Sequence, residues 1–298
     1  MNKLLPLLLV TISFLTLPAF AEIVHKERSM YRNILVEDSH QLRCLKFNEK
    51  NNKTNQSCLY KNDPQRLVFN YTKLLFSSLL VLEKAPERVL IIGLGGGTMS
   101  NTIHQLYPNA IIENVEIDPA VIKVAQQYFG FIENERISST AADGRIFIKR
   151  AAIKKQKYDW IILDAFNGDY IPEHLLTKEF LQESKDLLTE GGVITANTFS
   201  VSGLYAHESA TYKAVFGDFF NVRNNKNSNR VILTTNKPLP SGDIIAKRAL
   251  SLKAKLAPFG IDIIELTTWI TSTEDDQDWP EETKVLTDQF SPANLLNH

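Results

Sequence analysis

Cysteine is scarce: Cys44 and Cys58 are the only two, too few for a structural zinc site or a disulfide-built miniprotein. Net charge is almost absent as well. Lys plus Arg is 33 and Asp plus Glu is 34, a formal balance of -1. No whole-protein field therefore draws the chain to nucleic acid or to an anionic membrane. Basic-aromatic interleaving of the kind that reads RNA is missing too. The sequence has no Gly-x-x-x-x-Gly-Lys-Ser/Thr loop for nucleoside triphosphates and no Gly-x-Ser-x-Gly nucleophile elbow. Its six histidines (His25, His40, His104, His174, His207, His298) show no metal-ligand spacing, so no metal is expected. What remains is ordinary. Hydrophobic residues make up 44% and charged residues 22%, which excludes disordered, collagen-like and coiled-coil chains. A chain of 298 residues has room for one large or two modest domains.

The first residues read as an address. Lys3 gives a positive start, residues 4–17 form an apolar run of 14, and Pro18 breaks it before Ala19-Phe20-Ala21. The run is shorter than the ~20 residues that span a bilayer, and the end fits a small-x-small cleavage site. A cleaved secretory signal over 1–21 is expected, with the mature protein exported to the periplasm and free of the membrane. An uncleaved anchor or a buried first helix is the alternative, and Met30 is an internal start that would give a cytosolic form. Export makes the cysteines a candidate disulfide. Arg43-Cys44-Leu45-Lys46-Phe47 and Ser57-Cys58-Leu59-Tyr60 read as strands flanking an Asn-rich turn over 48–55. Cys44 and Cys58 are equidistant from Asn51, so a symmetric hairpin sets them face to face. Two unpaired buried thiols are the other reading.

The middle of the chain alternates strand and helix. Continuous apolar runs at 88–92 and 160–163 are strands buried on both faces. Further strands are expected over 110–117, 136–141 and 193–197. Helices are expected over 98–106, from Asp118-Pro119 to about 129, over 145–153 and over 178–188, with a turn at Gly191-Gly192. This order implies an α/β fold with a mostly parallel sheet. Residues 22–67 are strand-and-turn rich and read as a small N-terminal antiparallel β domain, followed by a core over 68–298.

In such sheets ligands sit past the C-terminal strand ends. Gly93-Leu94-Gly95-Gly96-Gly97 stands at the first end, where glycines let a ligand approach the backbone. A tight strand-helix turn is the plain alternative. Glu116, 23 residues beyond Gly93, is placed to accept from ribose hydroxyls. Asp143-Gly144 stands at a third end, where the carboxylate either accepts from an adenine amino group or forms an Asx turn before a helix. Asp164 follows the 160–163 run, and its carboxylate at the rim can orient or deprotonate a nucleophile. Asp169 lies in the loop after it.

These residues carry a resemblance. The chain resembles the spermidine synthase (polyamine aminopropyltransferase) family, in the divergent bacterial spermidine-synthase-like subgroup. That family shares the Rossmann-like fold of S-adenosylmethionine-dependent methyltransferases. The matching motifs are Ser29-x-Tyr31-x-x-Ile34-x-Val36, Phe69-Asn70-Tyr71, the segment 88–98 around the glycines, Val115-Glu116-Ile117-Asp118-Pro119, Asp143-Gly144-Arg145, Tyr158 through Asp164, and Leu286-Thr287-Asp288-x-x-x-Pro292-x-Asn294. The resemblance implies a donor, decarboxylated S-adenosylmethionine, with Glu116 on its ribose and Asp143 on its adenine. An amine such as putrescine would attack the aminopropyl carbon, with Asp164 as the catalytic carboxylate and Tyr71 aligning the amine. It also implies a homodimer.

Three departures stand out. The synthases carry an Asp inside the glycine motif where this chain has Gly95. The His-Glu pair after the Tyr is Thr72-Lys73 here. The second Asp of Asp-x-x-Asp-Pro is Asn167, with Asp169 two residues on. Two other readings therefore stand beside aminopropyl transfer: methyl transfer from S-adenosylmethionine itself, and a non-catalytic binder of adenosyl thioethers or polyamines.

Overall fold

A computed structural model describes residues 21–49, 52–166, 170–224 and 228–291. The expected signal segment up to residue 20, Asn167, Asp169, Pro292 and Asn294 lie outside the described residues. The chain forms β1 (Glu22–Arg28), β2 (Asn33–Asp38), β3 (Leu42–Glu49), β4 (Asn52–Tyr60), β5 (Asp63–Leu67) and α1 (Asn70–Leu75). It continues as β6 (Arg88–Ile92), α2 (Thr98–Leu106), β7 (Ile111–Glu116), α3 (Pro119–Tyr128), β8 (Ile137–Ala141), α4 (Gly144–Ile153), β9 (Tyr158–Leu163) and α5 (Lys178–Lys185). The last third holds β10 (Leu188–Phe199), α6 (Tyr205–Phe216), β11 (Phe220–Val222), β12 (Asn229–Thr235), α7 (Gly242–Leu256), α8 (Ile263–Thr267) and β13 (Ile270–Ser272).

Strands β1 to β5 make an antiparallel sheet in chain order. Cys44 lies directly opposite Cys58 in the β3–β4 ladder, and the two are joined by a disulfide with Cα atoms 4.1 Å apart. The pairing symmetry about Asn51 holds from Leu42 to Leu45 and then breaks. Lys46 pairs with Asn55, so Gln56 is the extra residue of a bulge. The sheet buries Ile34, Val36, Leu45 and Phe47 against Val121 and Val124 of α3.

The second sheet has the order β13-β11-β12-β10-β9-β6-β7-β8. Strands β10, β9, β6, β7 and β8 are parallel to their neighbours, while β12, β11 and β13 add antiparallel pairs beyond β10. Along β6 and β9 the side chains alternate between two cores. Val89, Ile91, Trp160 and Ile162 enter one; Leu90, Ile92 and Ile161 enter the other, which Tyr158 at the start of β9 also joins out of register. That double burial is why these strands read as unbroken apolar runs. The chain runs β6, β7, β8 and then returns to place β9 on the other side of β6, so the strand order reverses there and a crevice opens.

Two expectations are corrected. The helix expected over 178–188 ends at Lys185, and Gly191-Gly192 lie inside β10 rather than in a turn before it. Leu188 already pairs with Tyr158, and the glycines carry an irregularity before pairing resumes at Val193 with Trp160. Gly191 takes a φ of 72°, which a glycine adopts without strain. The segment carrying Asp288 is tied back to α4. Arg145 Nη1 and Nη2 donate to Asp288 at 2.6 and 2.8 Å, and Nε donates to Glu183 of α5 at 2.9 Å. Among the described residues no helix is long and apolar enough to cross a membrane.

Candidate active site

A cavity of about 230 Å³ opens at the C-terminal ends of β6, β7, β8 and β9. The parallel sheet contributes Gly93, Gly95, Glu116, Asp143, Gly144 and Asp164 to its wall, and α1 contributes Tyr71 and Thr72. The N-terminal sheet supplies Phe47, Gln56 and Ser57, and the turn before β2 supplies Arg32. The bulge at Gln56 displaces the ladder where β4 meets this cavity.

Gly93 has a φ of 98°, and a Cβ there would lie 2.2 Å from the Asp164 carbonyl oxygen. No other residue lets the ends of β6 and β9 approach this closely. Gly95 keeps open space beside it, with the Ser57 Cβ 3.7 Å from where its own Cβ would stand. Gly96 and Gly97 are not among the lining residues. A Cβ on Gly96 would meet the Ser57 Oγ at 2.7 Å, and one on Gly97 would meet the Phe131 ring at 2.7 Å. Packing is what Gly96 requires, and Gly97 adds a left-handed φ of 74°.

Glu116 joins two loops. Its Oε2 accepts from the Leu94 N–H and its Oε1 from the Asp118 N–H, each at 3.1 Å. Burial pushes its carboxyl above the ordinary value, opposed by those two N–H groups and by Arg32. Arg32, its side chain 6% exposed, stacks its guanidinium 4.3 Å over the Phe47 ring and lies 4.0 Å from Asp118. Asp118 caps α3 through the Ala120 N–H at 3.0 Å, and Pro119 supplies the first helical residue.

Asp143 does the same for α4. Its Oδ1 accepts from the Ile146 N–H at 3.0 Å, while its Oδ2 lies 2.7 Å from the His174 Nε2. Burial raises its carboxyl, but the Ile146 N–H and the His174 ring outweigh it, leaving the carboxyl below its ordinary value.

Asp164 is a strongly perturbed acid of the cavity. Burial pushes its carboxyl up to about 7 against a single opposing contact, the Asn197 side chain. Asn197 Nδ2 donates to Asp164 Oδ1 at 2.8 Å, and Asn229 Nδ2 donates to Asn197 Oδ1 at 3.1 Å. The Tyr71 phenol is held well above its ordinary value, first by burial and then by the Asp164 charge. Thr72 lines the cavity but Lys73 does not. Burial first, and then the Arg66 charge, lower the Lys73 ammonium below its ordinary value.

The structure thus brings Gly93, Gly95, Glu116, Asp143, Gly144, Asp164 and Tyr71 to one cavity. Sequence reasoning missed Arg32, Ser57, His174 and Asn197. Arg32 sat inside the opening motif and was readable as an adjacent position. His174 and Asn197 carry no local signal, since only the fold brings them to their carboxylates.

Residues 68–223 match the family model described as spermine/spermidine synthase domain. A polyamine aminopropyltransferase of Vibrio vulnificus (strain CMCP6) is 47% identical over 277 residues, covering 92% of this chain and 91% of that protein. The chain belongs to the spermine/spermidine synthase family. The architecture agrees with that membership. A probable spermidine synthase from Corynebacterium glutamicum ATCC 13032 superposes with a TM-score of 0.70 at 19% identity, covering 91% of this chain and 98% of that one. This likeness shows the shared fold. Human methyltransferase-like protein 13, solved in complex with SAH, superposes with a TM-score of 0.59 at 28% identity, covering 64% of this chain and 93% of that one. The Rossmann-like core is thus shared, and this chain adds an antiparallel N-terminal sheet.

Proposed function

We propose that this family member moves an aminopropyl group from decarboxylated S-adenosylmethionine to a small amine such as putrescine. The carrying observation is Asp164, a desolvated carboxylate at the cavity wall whose pKa is pushed to about 7. A base poised near neutral pH suits a nucleophile that must lose a proton to react. The amine nitrogen uses its lone pair to attack the aminopropyl carbon bonded to the positive sulfur. The carbon–sulfur pair stays on sulfur, methylthioadenosine leaves as a neutral thioether, and the amine proton goes to Asp164. Holding both reactants in one enclosed cavity supplies much of the remaining acceleration.

The donor's places follow the wall. Glu116 takes the ribose hydroxyls with the second lone pair of each oxygen, and Asp143 faces the adenine amino group from the start of α4. Tyr71 borders the acceptor beside Asp164. One observation favours a second reading, methyl transfer from S-adenosylmethionine. Gly95 leaves open space where the synthases carry an Asp that binds the donor ammonium. Calorimetry against methylthioadenosine, S-adenosylmethionine and its decarboxylated form, followed by mass analysis of products with putrescine, separates the two. Binding of none of the three would refute both.

We further propose that the mature protein is exported after removal of residues 1–21 and acts as a homodimer. The Cys44–Cys58 disulfide supports an oxidising compartment. N-terminal sequencing from the native host tests export, because an intact Met1 would refute it. Light scattering on the mature chain reads the dimer.

A further inference from the structure

Asn197 lies within β10 and is 2% exposed. A polar side chain so buried is kept for its hydrogen bonds. It donates through Nδ2 to Asp164 Oδ1 and accepts through Oδ1 from Asn229 Nδ2. Strands β10 and β12 pair Asn197 with Val231 and Phe199 with Asn229. Asn229 is therefore the diagonal neighbour on the same face, within reach of the amide.

An amide is nearly symmetric in shape but not in hydrogen bonding, since one end only donates and the other only accepts. Ionised Asp164 only accepts, so the Asn197 NH₂ turns to it and the Asn197 carbonyl turns to the Asn229 N–H. A group that only donates stabilises the ionised carboxylate over the protonated one. Tyr71 from α1, Glu116 at the end of β7, Asp143 and His174 beside α4, and Arg32 just before β2 line the same cavity. Among the described residues none of them hydrogen-bonds the Asp164 carboxylate.

We propose that Asn197 is a positioning residue, held donor-first by Asn229, which tethers one oxygen of Asp164 and leaves the other for the proton of the incoming amine. The inference rests on the role given above to Asp164. Neither asparagine is needed to touch substrate: Asn197 acts through Asp164, and Asn229 through Asn197.

The test is an NMR titration of protein carrying ¹³C-labelled aspartate, with the Asp164 signal assigned by its loss in Asp164→Asn. The midpoint, near 7 in the parent, is expected to rise by about one pH unit or more in Asn197→Ala and by less in Asn229→Ala. The ascending limb of kcat/KM against pH moves with it, so Asn197→Ala is about tenfold slower below the limb and recovers at high pH. An unmoved midpoint, or a loss by one factor at every pH, overturns the proposal. Should Asn197→Ala fail to fold, Asn229→Ala decides by the same readouts. Absence of turnover in the parent, with the titration shifts intact, refutes the transfer reading and leaves the tether standing.

Discussion

Replacing Asp164 by Asn should destroy activity and at the same time stabilise the fold, by an amount that depends on pH. Burial moves this carboxyl from 3.8 to about 7. At about 1.4 kcal/mol per pH unit, the ionised native form carries a penalty of at most about 4 kcal/mol. Between the two values the folded chain binds the proton and the unfolded chain does not. Stability from this group therefore falls as pH rises through that window. Above it the penalty is complete. The amide has the same shape, keeps an oxygen for the Asn197 donor and carries no charge. Thermal unfolding at pH 8.5 should show a gain approaching 4 kcal/mol, several degrees at roughly 2 °C per kcal/mol. At pH 5.5 the gain should be about half as large, because the parent is by then protonated in the native state. Turnover in the proposed transfer should drop by about 10²–10⁴. A gain equal at both pH values, or a loss of stability at pH 8.5, would falsify the desolvation argument.

Other consequences are as specific. Gly93→Ala puts a methyl group 2.2 Å from the Asp164 carbonyl oxygen, and urea unfolding should report a loss of at least ~1–3 kcal/mol. An unchanged midpoint would show that the β6 and β9 ends are not held together. Glu208 and Arg230 form a fully buried pair at 2.9 Å, with Ser209 and Thr198 on the same guanidinium. Glu208→Gln leaves that cation unpaired and should cost about 3–5 kcal/mol, and a cost under 1 would count against the pair's isolation from solvent. Replacing Cys44 and Cys58 together by Ser opens a loop spanning a sequence separation of 14. Denaturation should show a loss of about 3 kcal/mol, reproduced in the parent by a reducing agent and absent in the double variant treated the same way.

The sequence was most readable where one strand explains itself. The runs at 88–92 and 160–163 are buried on both faces, so their composition alone marks them, and the carboxylates that follow mark the rim. Cys44 and Cys58 could be paired by counting because the hairpin is regular on their side of the bulge. Gln56 could not be foreseen, since a bulge changes pairing without changing composition. Gly191-Gly192 misled because glycine pairs punctuate turns far more often than they interrupt a strand. Strands β11 and β13 have three residues each, too short for a periodicity to show. Asn197 was invisible for another reason: its meaning lies in Asp164, 33 residues away along the chain.

The tie between Asp288 and Arg145 has a practical reach. Arg145 follows Gly144, which lines the cavity, and Asp143 caps the same helix. The segment around Asp288 therefore acts as a rivet on the helix whose first end faces the cavity. Thr177 sets a second rivet through its hydroxyl at 2.8 Å from Asp288. A chain trimmed before Asp288 lacks both. Ligand affinity measured on such a shortened chain reports the fastening as well as the pocket.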